Sequence, residues 1–130
     1  MAVIIAIEGI DGSGKGTQAA RLHARCQAEG IKTSLIGFPR YDQTLFGKSI
    51  GDFLNGRFGE LDEVNPFLAS LLYAGDRFES RSHILNTIET SDVVIFDRYI
   101  PSNVAHQGAK LSGVERSEFI EWIEQIEYAI

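Results

Sequence analysis

A mixed α/β fold, built on a parallel sheet flanked by helices, is predicted by three features of this 130-residue chain. Short apolar runs bounded by turns alternate with segments of helical apolar spacing. The runs are apolar throughout rather than alternating, as strands buried on both faces require. A glycine-rich turn separates the first run from the first helical segment.

Each element follows in order. Val3 to Ile7 reads as a first strand buried on both faces. A helix from about Lys15 to Glu29 comes next, with Ala19, Leu22 and Cys26 on one face and Gly30 as its stop. "KTSLIGF" (Lys32 to Phe38) is a second strand, ended by Pro39. A short helix carries Leu45, Ile50, Phe53 and Leu54. Asn65 caps a long helix with Pro66 at its first position. Its apolar positions Phe67, Leu68, Leu71, Leu72 and Phe78 keep helical spacing, and the pattern resumes at Ile84, Leu85 and Ile88. "DVVIFD" (Asp92 to Asp97) is a third strand. From Glu115 to near Ile130 an amphipathic helix runs through Phe119, Ile120, Ile123 and Ile126. Trp122 reads as core there, and Glu115, Glu118, Glu121, Glu124 and Glu127 as solvated positions around the apolar face.

Composition narrows the function classes. With 44% hydrophobic and 23% charged residues the chain reads as one domain or part of one. A net charge of -6 leaves no basic surplus for nucleic acid but does not exclude a small anionic ligand, which needs only local positive charge. Cys26 is the lone cysteine, which suits a reducing compartment. The short N-terminal apolar run reads as a strand rather than a signal or membrane span, so the expectation is cytosolic with no membrane.

Ligands of parallel sheets bind beyond the carboxyl ends of the strands. Residues 9–14 and Asp97 both fall there. Gly9-x-x-x-x-Gly14-Lys15, between a strand and a helix, has the spacing of a phosphate-binding P-loop. Glycines such as Gly12 let backbone N–H groups curl around phosphate oxygens, the helix N-terminus adds partial positive charge, and Lys15 adds a full one. The usual Mg2+-ligating hydroxyl is replaced by Gly16, with Thr17 one residue later and within reach of a phosphate oxygen. Asp97, closing an apolar strand, occupies the position of an aspartate that orients Mg2+ through water or directly. Arg98 beside it suits two phosphate groups at once.

"GSGKGTQ" resembles the loop of adenylate kinase and related nucleoside monophosphate kinases, where the Gly-Thr pair is normal. "EGIDGSGKGTQ", "FPRY", "YAGDRFE" and "DRYIPSNVAHQGAK" together resemble the thymidylate kinase family, in order and separation, over nearly the whole chain. The resemblance implies a P-loop NTPase-type three-layer fold and transfer of the γ-phosphoryl of ATP to dTMP with Mg2+. It implies that Gly9, Asp11, Gly12, Ser13, Gly14, Lys15, Gly16 and Thr17 surround the ATP phosphates, and that Lys15, Asp97 and Arg98 carry the transfer. It also implies that Asp11 meets the sugar 3′-hydroxyl, that Phe38 packs on the nucleotide and that Arg40 pairs with its phosphate. Tyr73 would stack on the base, Arg77 and Asn103 would read it, and His106 would sit near C2′, where many relatives carry Tyr or Phe. That departure leaves the choice of deoxy over ribo sugar open.

The family fold continues past the last helix with a strand, a lid and a final strand and helix. The expectation is therefore an incomplete N-terminal piece, residues 1–130, with weak turnover alone and homodimerisation in the longer form. Another nucleoside monophosphate kinase, a deoxynucleoside kinase or a non-catalytic nucleotide-binding remnant are the competing readings. Arg40 favours an acceptor that already carries phosphate.

Overall fold

The computed structural model describes residues 1–129; the expected helix end at Ile130 lies outside them. In chain order the elements are β1 (Val3–Ile7), α1 (Lys15–Ala28), β2 (Thr33–Gly37), α2 (Leu45–Leu54), α3 (Pro66–Glu79), α4 (Arg81–Thr90), β3 (Val93–Asp97), α5 (Ile100–Gly108) and α6 (Gly113–Ala129). They fall into two compact units, one of residues 1–38 and 80–99 and the other of residues 39–79 and 100–129.

The first unit holds the sheet, with α1 and α4. Its strand order is β1-β3-β2, all parallel, so the last strand in sequence lies in the middle. That order explains the burial. Val94, Ile95 and Phe96 of β3 are 0–1% exposed, and Val94 and Phe96 form a core cluster with Ile36, Phe38 and Ile84. β1 was expected to be buried on both faces, and the structure corrects this: Val3 and Ile4 are 59% and 54% exposed. As an edge strand among the described residues, β1 has a neighbour on one side only. The register sets Ile7 and Gly37 on either side of Asp97, so all three strands end at one rim.

The second unit is helical. Asn65 caps α3 as its sequence context predicts, its side-chain oxygen accepting from the Phe67 N–H at 2.9 Å, with Pro66 opening the helix. Two carboxylates of α3 then fix the start of α2. Glu79 accepts from the N–H groups of Leu45 and Phe46 at 3.0 and 2.8 Å, satisfying donors that a helix start leaves orphaned. Asp76, 1% exposed, accepts from the Thr44 hydroxyl at 2.6 Å and the Arg40 N–H at 2.9 Å. Thr44 in turn accepts from the Gly47 N–H. A Cβ at Gly47 would lie 2.2 Å from the Arg40 carbonyl oxygen, so that position admits only glycine at this spacing. Phe67, Phe119 and Trp122 pack as an aromatic cluster, with the Phe67 and Phe119 rings edge to face. α5 went unread in the sequence, where Pro101 sits in a segment dominated by its motif; proline is tolerated in a first helical turn because its missing N–H is needed there least.

Candidate active site

In the first unit the loop between β1 and α1 closes through a Ser13 N–H to Ile10 carbonyl bond at 3.2 Å. Gly12 and Gly14 adopt φ of 78° and 88°, left-handed values that side chains with a Cβ disfavour, so the loop's glycines are demanded by its path. Gly14 immediately precedes Lys15 at the start of α1, placing loop N–H groups and the helix N-terminus together.

Asp97 stands beside this loop. Its Oδ2 would lie 3.4 Å from a Cβ placed on Gly16, so the carboxylate borders the space a hydroxyl side chain would otherwise occupy. Asp97 Oδ1 is buried with no hydrogen-bond partner among the described residues. An orphaned carboxylate oxygen next to a phosphate-type loop suits a metal-bound water. Among the described residues no group of three or more His, Cys, Asp and Glu gathers as a ready metal cage. A cation held here would therefore take its remaining ligands from phosphate oxygens and water.

Arg98 has φ of 67°, the left-handed region that a non-glycine residue rarely enters. Two bonds hold it there: its N–H donates to the Ile7 carbonyl at 3.0 Å, and the next N–H, of Tyr99, donates to Glu8 Oε1 at 2.8 Å. Such strain persists where surrounding structure over-determines it, often at functional sites. The result aims the Arg98 guanidinium at Asp11, whose Oδ1 accepts at 2.6 Å and also lies 3.8 Å from Lys15 Nζ. One carboxylate oxygen thus meets two cations that are far apart in sequence. Lys15, Asp97, Arg98 and Asp11 are brought together as expected. Glu8, which anchors the strained turn, was not picked out; lying in the quoted motif one residue beyond β1 was its only signal.

Phe38, also in this unit, is 6% exposed, and its ring packs with Phe96 and Tyr99 at centroid distances of 6.2 and 5.9 Å.

The second unit holds the remaining candidates. Tyr73 and Arg77 lie one turn apart on α3, and Asn103 and His106 lie on α5. Tyr73 is half-buried and His106 exposed. Arg40 bonds Gln43 through its guanidinium while its backbone is tied to Asp76. Arg77 and Asn103 are buried together around a residue read from the sequence as solvated, Glu127. The Glu127 carboxylate receives Arg77 through Nε at 2.8 Å and through Nη2, and receives Asn103 Nδ2 at 2.9 Å. Its side chain is 2% exposed. The missed signal was its spacing: Phe119, Ile123 and Glu127 stand four apart, which makes Glu127 a charge on the buried stripe of α6.

The thymidylate kinase family model matches residues 7–126. The thymidylate kinase of Mycobacterium tuberculosis (strain CDC 1551 / Oshkosh) is 34% identical over 127 residues, covering 98% of this chain and 59% of that protein. A probable thymidylate kinase of Thermococcus gammatolerans is 36% identical over 115 residues, covering 85% of this chain and 54% of its own length. Among solved structures, thymidylate kinase from Candida albicans superposes with a TM-score of 0.73 at 29% identity, covering 96% of this chain and 56% of the other. That from Ehrlichia chaffeensis gives 0.73 at 26% identity, covering 99% and 69%. The chain spans a little over half the length of the curated relatives it matches.

Proposed function

The chain belongs to the thymidylate kinase family, and from that premise we propose that it transfers the γ-phosphoryl group of ATP to the 5′-phosphate of dTMP, giving dTDP and ADP. The observation that carries this reading is the meeting of Lys15, Asp97, Arg98 and Asp11 at the rim where β1 and β3 end. An acceptor phosphate oxygen attacks the γ-phosphorus as the bond to the bridging oxygen breaks, and ADP leaves with that electron pair. This chemistry asks the protein chiefly for position and charge.

The roles follow from placement. Lys15 and the N–H groups of residues 9–17 hold the donor phosphates, and Thr17 offers a hydroxyl on the first helical turn. Arg98, held in its strained turn, spans donor and acceptor phosphates. It leaves Asp11, whose exposed carboxylate is then available to the acceptor's sugar hydroxyl. Asp97 would hold Mg2+, and the ion would supply neutralisation of phosphate charge. In the second unit Arg40 pairs with the acceptor phosphate, Tyr73 stacks on the base, Arg77 and Asn103 read it, and His106 lies toward the sugar. Phe38, mostly buried, offers the nucleotide only the rim of an aromatic stack.

No helix among the described residues is long and apolar enough to cross a membrane, and a cytoplasmic enzyme is the accompanying proposal. Homodimerisation is supported by Leu68, Leu71 and Phe78, a stripe on α3 that is 59%, 38% and 57% exposed. Light scattering of the purified chain tests it.

Because the chain spans 59% of its relative, the primary test reads binding. Calorimetric or thermal-shift titrations with dTMP, dUMP, TMP and AMP, each with and without Mg-ATP, should show selective stabilisation by dTMP. A preference for AMP overturns the assignment.

A further inference from the structure

Glu127 plays no part in the phosphoryl chemistry, yet it is the most thoroughly engaged carboxylate of the second unit. Its Oε1 accepts from both Arg77 Nη2 and Asn103 Nδ2, and its Oε2 accepts from Arg77 Nε. Asn103 Nδ2 uses its other proton on the backbone carbonyl of Ser70, at 3.1 Å. All of this is interior: Ser70 is 0% exposed and Asn103 3%.

A side-chain amide has a donor end and an acceptor end, and a half-turn exchanges them. At Asn103 the half-turn is blocked. Both groups facing Nδ2, the Glu127 carboxylate and the Ser70 carbonyl, can only accept. Turning the amide over would set its oxygen against two other oxygens, and the Glu127 carboxylate and the Ser70 carbonyl would both lose their bonds from Asn103. With Nδ2 fixed, Oδ1 is committed as an acceptor, and it is a buried one with no partner among the described residues. The same carboxylate grips Arg77 by its Nε–Nη2 edge, a bidentate arrangement that fixes the guanidinium plane. Arg77 and Asn103 share one oxygen of Glu127, so a committed donor group and a committed acceptor stand side by side.

We propose that Glu127 is a positioning residue that sets the polarity of the Asn103 amide and so selects a pyrimidine with an N–H at ring N3 beside a carbonyl at C4. The inference rests on the dTMP reading above and adds to it a residue outside the family-like motifs. A 2,4-dioxopyrimidine offers an acceptor and then a donor along that edge, complementary to Arg77 followed by Asn103 Oδ1. A 4-aminopyrimidine offers the reverse order, and would meet donor with donor and acceptor with acceptor. Oδ1 lies beneath covering atoms, so a base reaches it with local side-chain movement, and the test includes a probe for the N3 donor itself.

Calorimetric titration of wild type, Glu127→Gln and Glu127→Asp with dTMP, dCMP and N3-methyl-dTMP decides the matter. Wild type should bind dTMP at least tenfold more tightly than either of the others. In Glu127→Gln one turn of the new amide sets its NH2 against Asn103 Nδ2 and the other sets it against Arg77 Nε, so either the Asn103 polarity or the two-point grip on Arg77 is lost. The dTMP-to-dCMP ratio should fall at least tenfold while Mg-ATP affinity stays at the wild-type value. Glu127→Asp, which keeps an acceptor-only group, should recover part of the ratio. If Glu127→Gln weakens dTMP and dCMP equally and keeps their ratio, Glu127 is merely structural and the proposal fails. If wild type shows no preference for dTMP, the functional reading itself has failed, and the proposal with it. Should the Gln variant not fold, wild-type NMR still decides. The Asn103 Nδ2 protons, assigned by their loss in Asn103→Asp, should exchange far more slowly than those of exposed amides; exchange at the exposed rate overturns the proposal.

Discussion

Arg98 and Asp11 pair at 2.6 Å in the first unit on a carboxylate that is 97% exposed, whereas Arg77 and Glu127 pair in the second with side chains 7% and 2% exposed. The chemistry is the same and the surroundings reverse its meaning. In water an ion pair is weak, and either member can exchange its partner for a ligand at little cost. In the interior each charge has lost its hydration and depends on the other, so the pair is a fixed part of the architecture. The first arrangement suits a pair whose cation can be handed to a ligand; the second suits a fixed edge of polar groups.

The comparison is broken most forcefully at Glu127. Glu127→Leu strands the Arg77 guanidinium in the interior and should cost about 3–5 kcal/mol of unfolding free energy by denaturant titration. Adding Arg77→Met should recover most of that loss, because an apolar pair of similar volume needs no partner. Failure of the double variant to recover would mean that Asn103 and Ser70 depend on the carboxylate as much as Arg77 does.

Asp76 comes next. It ties the Arg40 backbone and the Thr44 hydroxyl from a site 1% exposed. Asp76→Ala leaves both donors without their acceptor and should cost about 2–3 kcal/mol. Since the Arg40 segment is what it holds, dTMP affinity should fall as well, with Mg-ATP affinity unaffected, read by the same calorimetry.

How much of this was legible in the sequence follows the same divide. The loop, Asp97 and Arg98 announce themselves because phosphate chemistry needs particular residues at fixed local spacing, and a parallel sheet carries its strand ends to one rim. The apolar runs also gave three strands and most helices. Hidden from the sequence were facts of tertiary placement. β1 reads as an interior strand by composition, yet among the described residues it has a neighbour on one side only, because strand order is not written in any one strand. α5 was masked by its motif. Glu127 looked like one of five similar glutamates, and only its phase with Phe119 and Ile123 separates it from the rest. Arg98 gave no hint of a left-handed backbone, which comes from bonds to Ile7 and Glu8.

In the first unit the effects are smaller and concern ligands. Lys15→Ala removes a charge from the phosphate loop and should lower Mg-ATP affinity by roughly 10- to 100-fold, the equivalent of a charged hydrogen bond of about 1.5–3 kcal/mol. The unfolding midpoint should move far less than in Glu127→Leu, since the charge of Lys15 faces the exposed Asp11 carboxylate at 3.8 Å rather than a buried partner.

The smallest effect is the most telling about the two pairs. Asp11→Asn weakens the contact to Arg98 without changing shape, and an exposed pair supports the fold by only about 0–1 kcal/mol. That difference should shrink further at 1 M salt, where the Debye length falls to about 3 Å. The loss in Glu127→Leu should not shrink, because salt does not reach a buried pair. Unfolding curves of both variants at low and high salt therefore separate the two arginines directly. A salt-insensitive loss at Asp11 would mean that its carboxylate is held as firmly as Glu127, and that Arg98 is not free to turn from it toward phosphate.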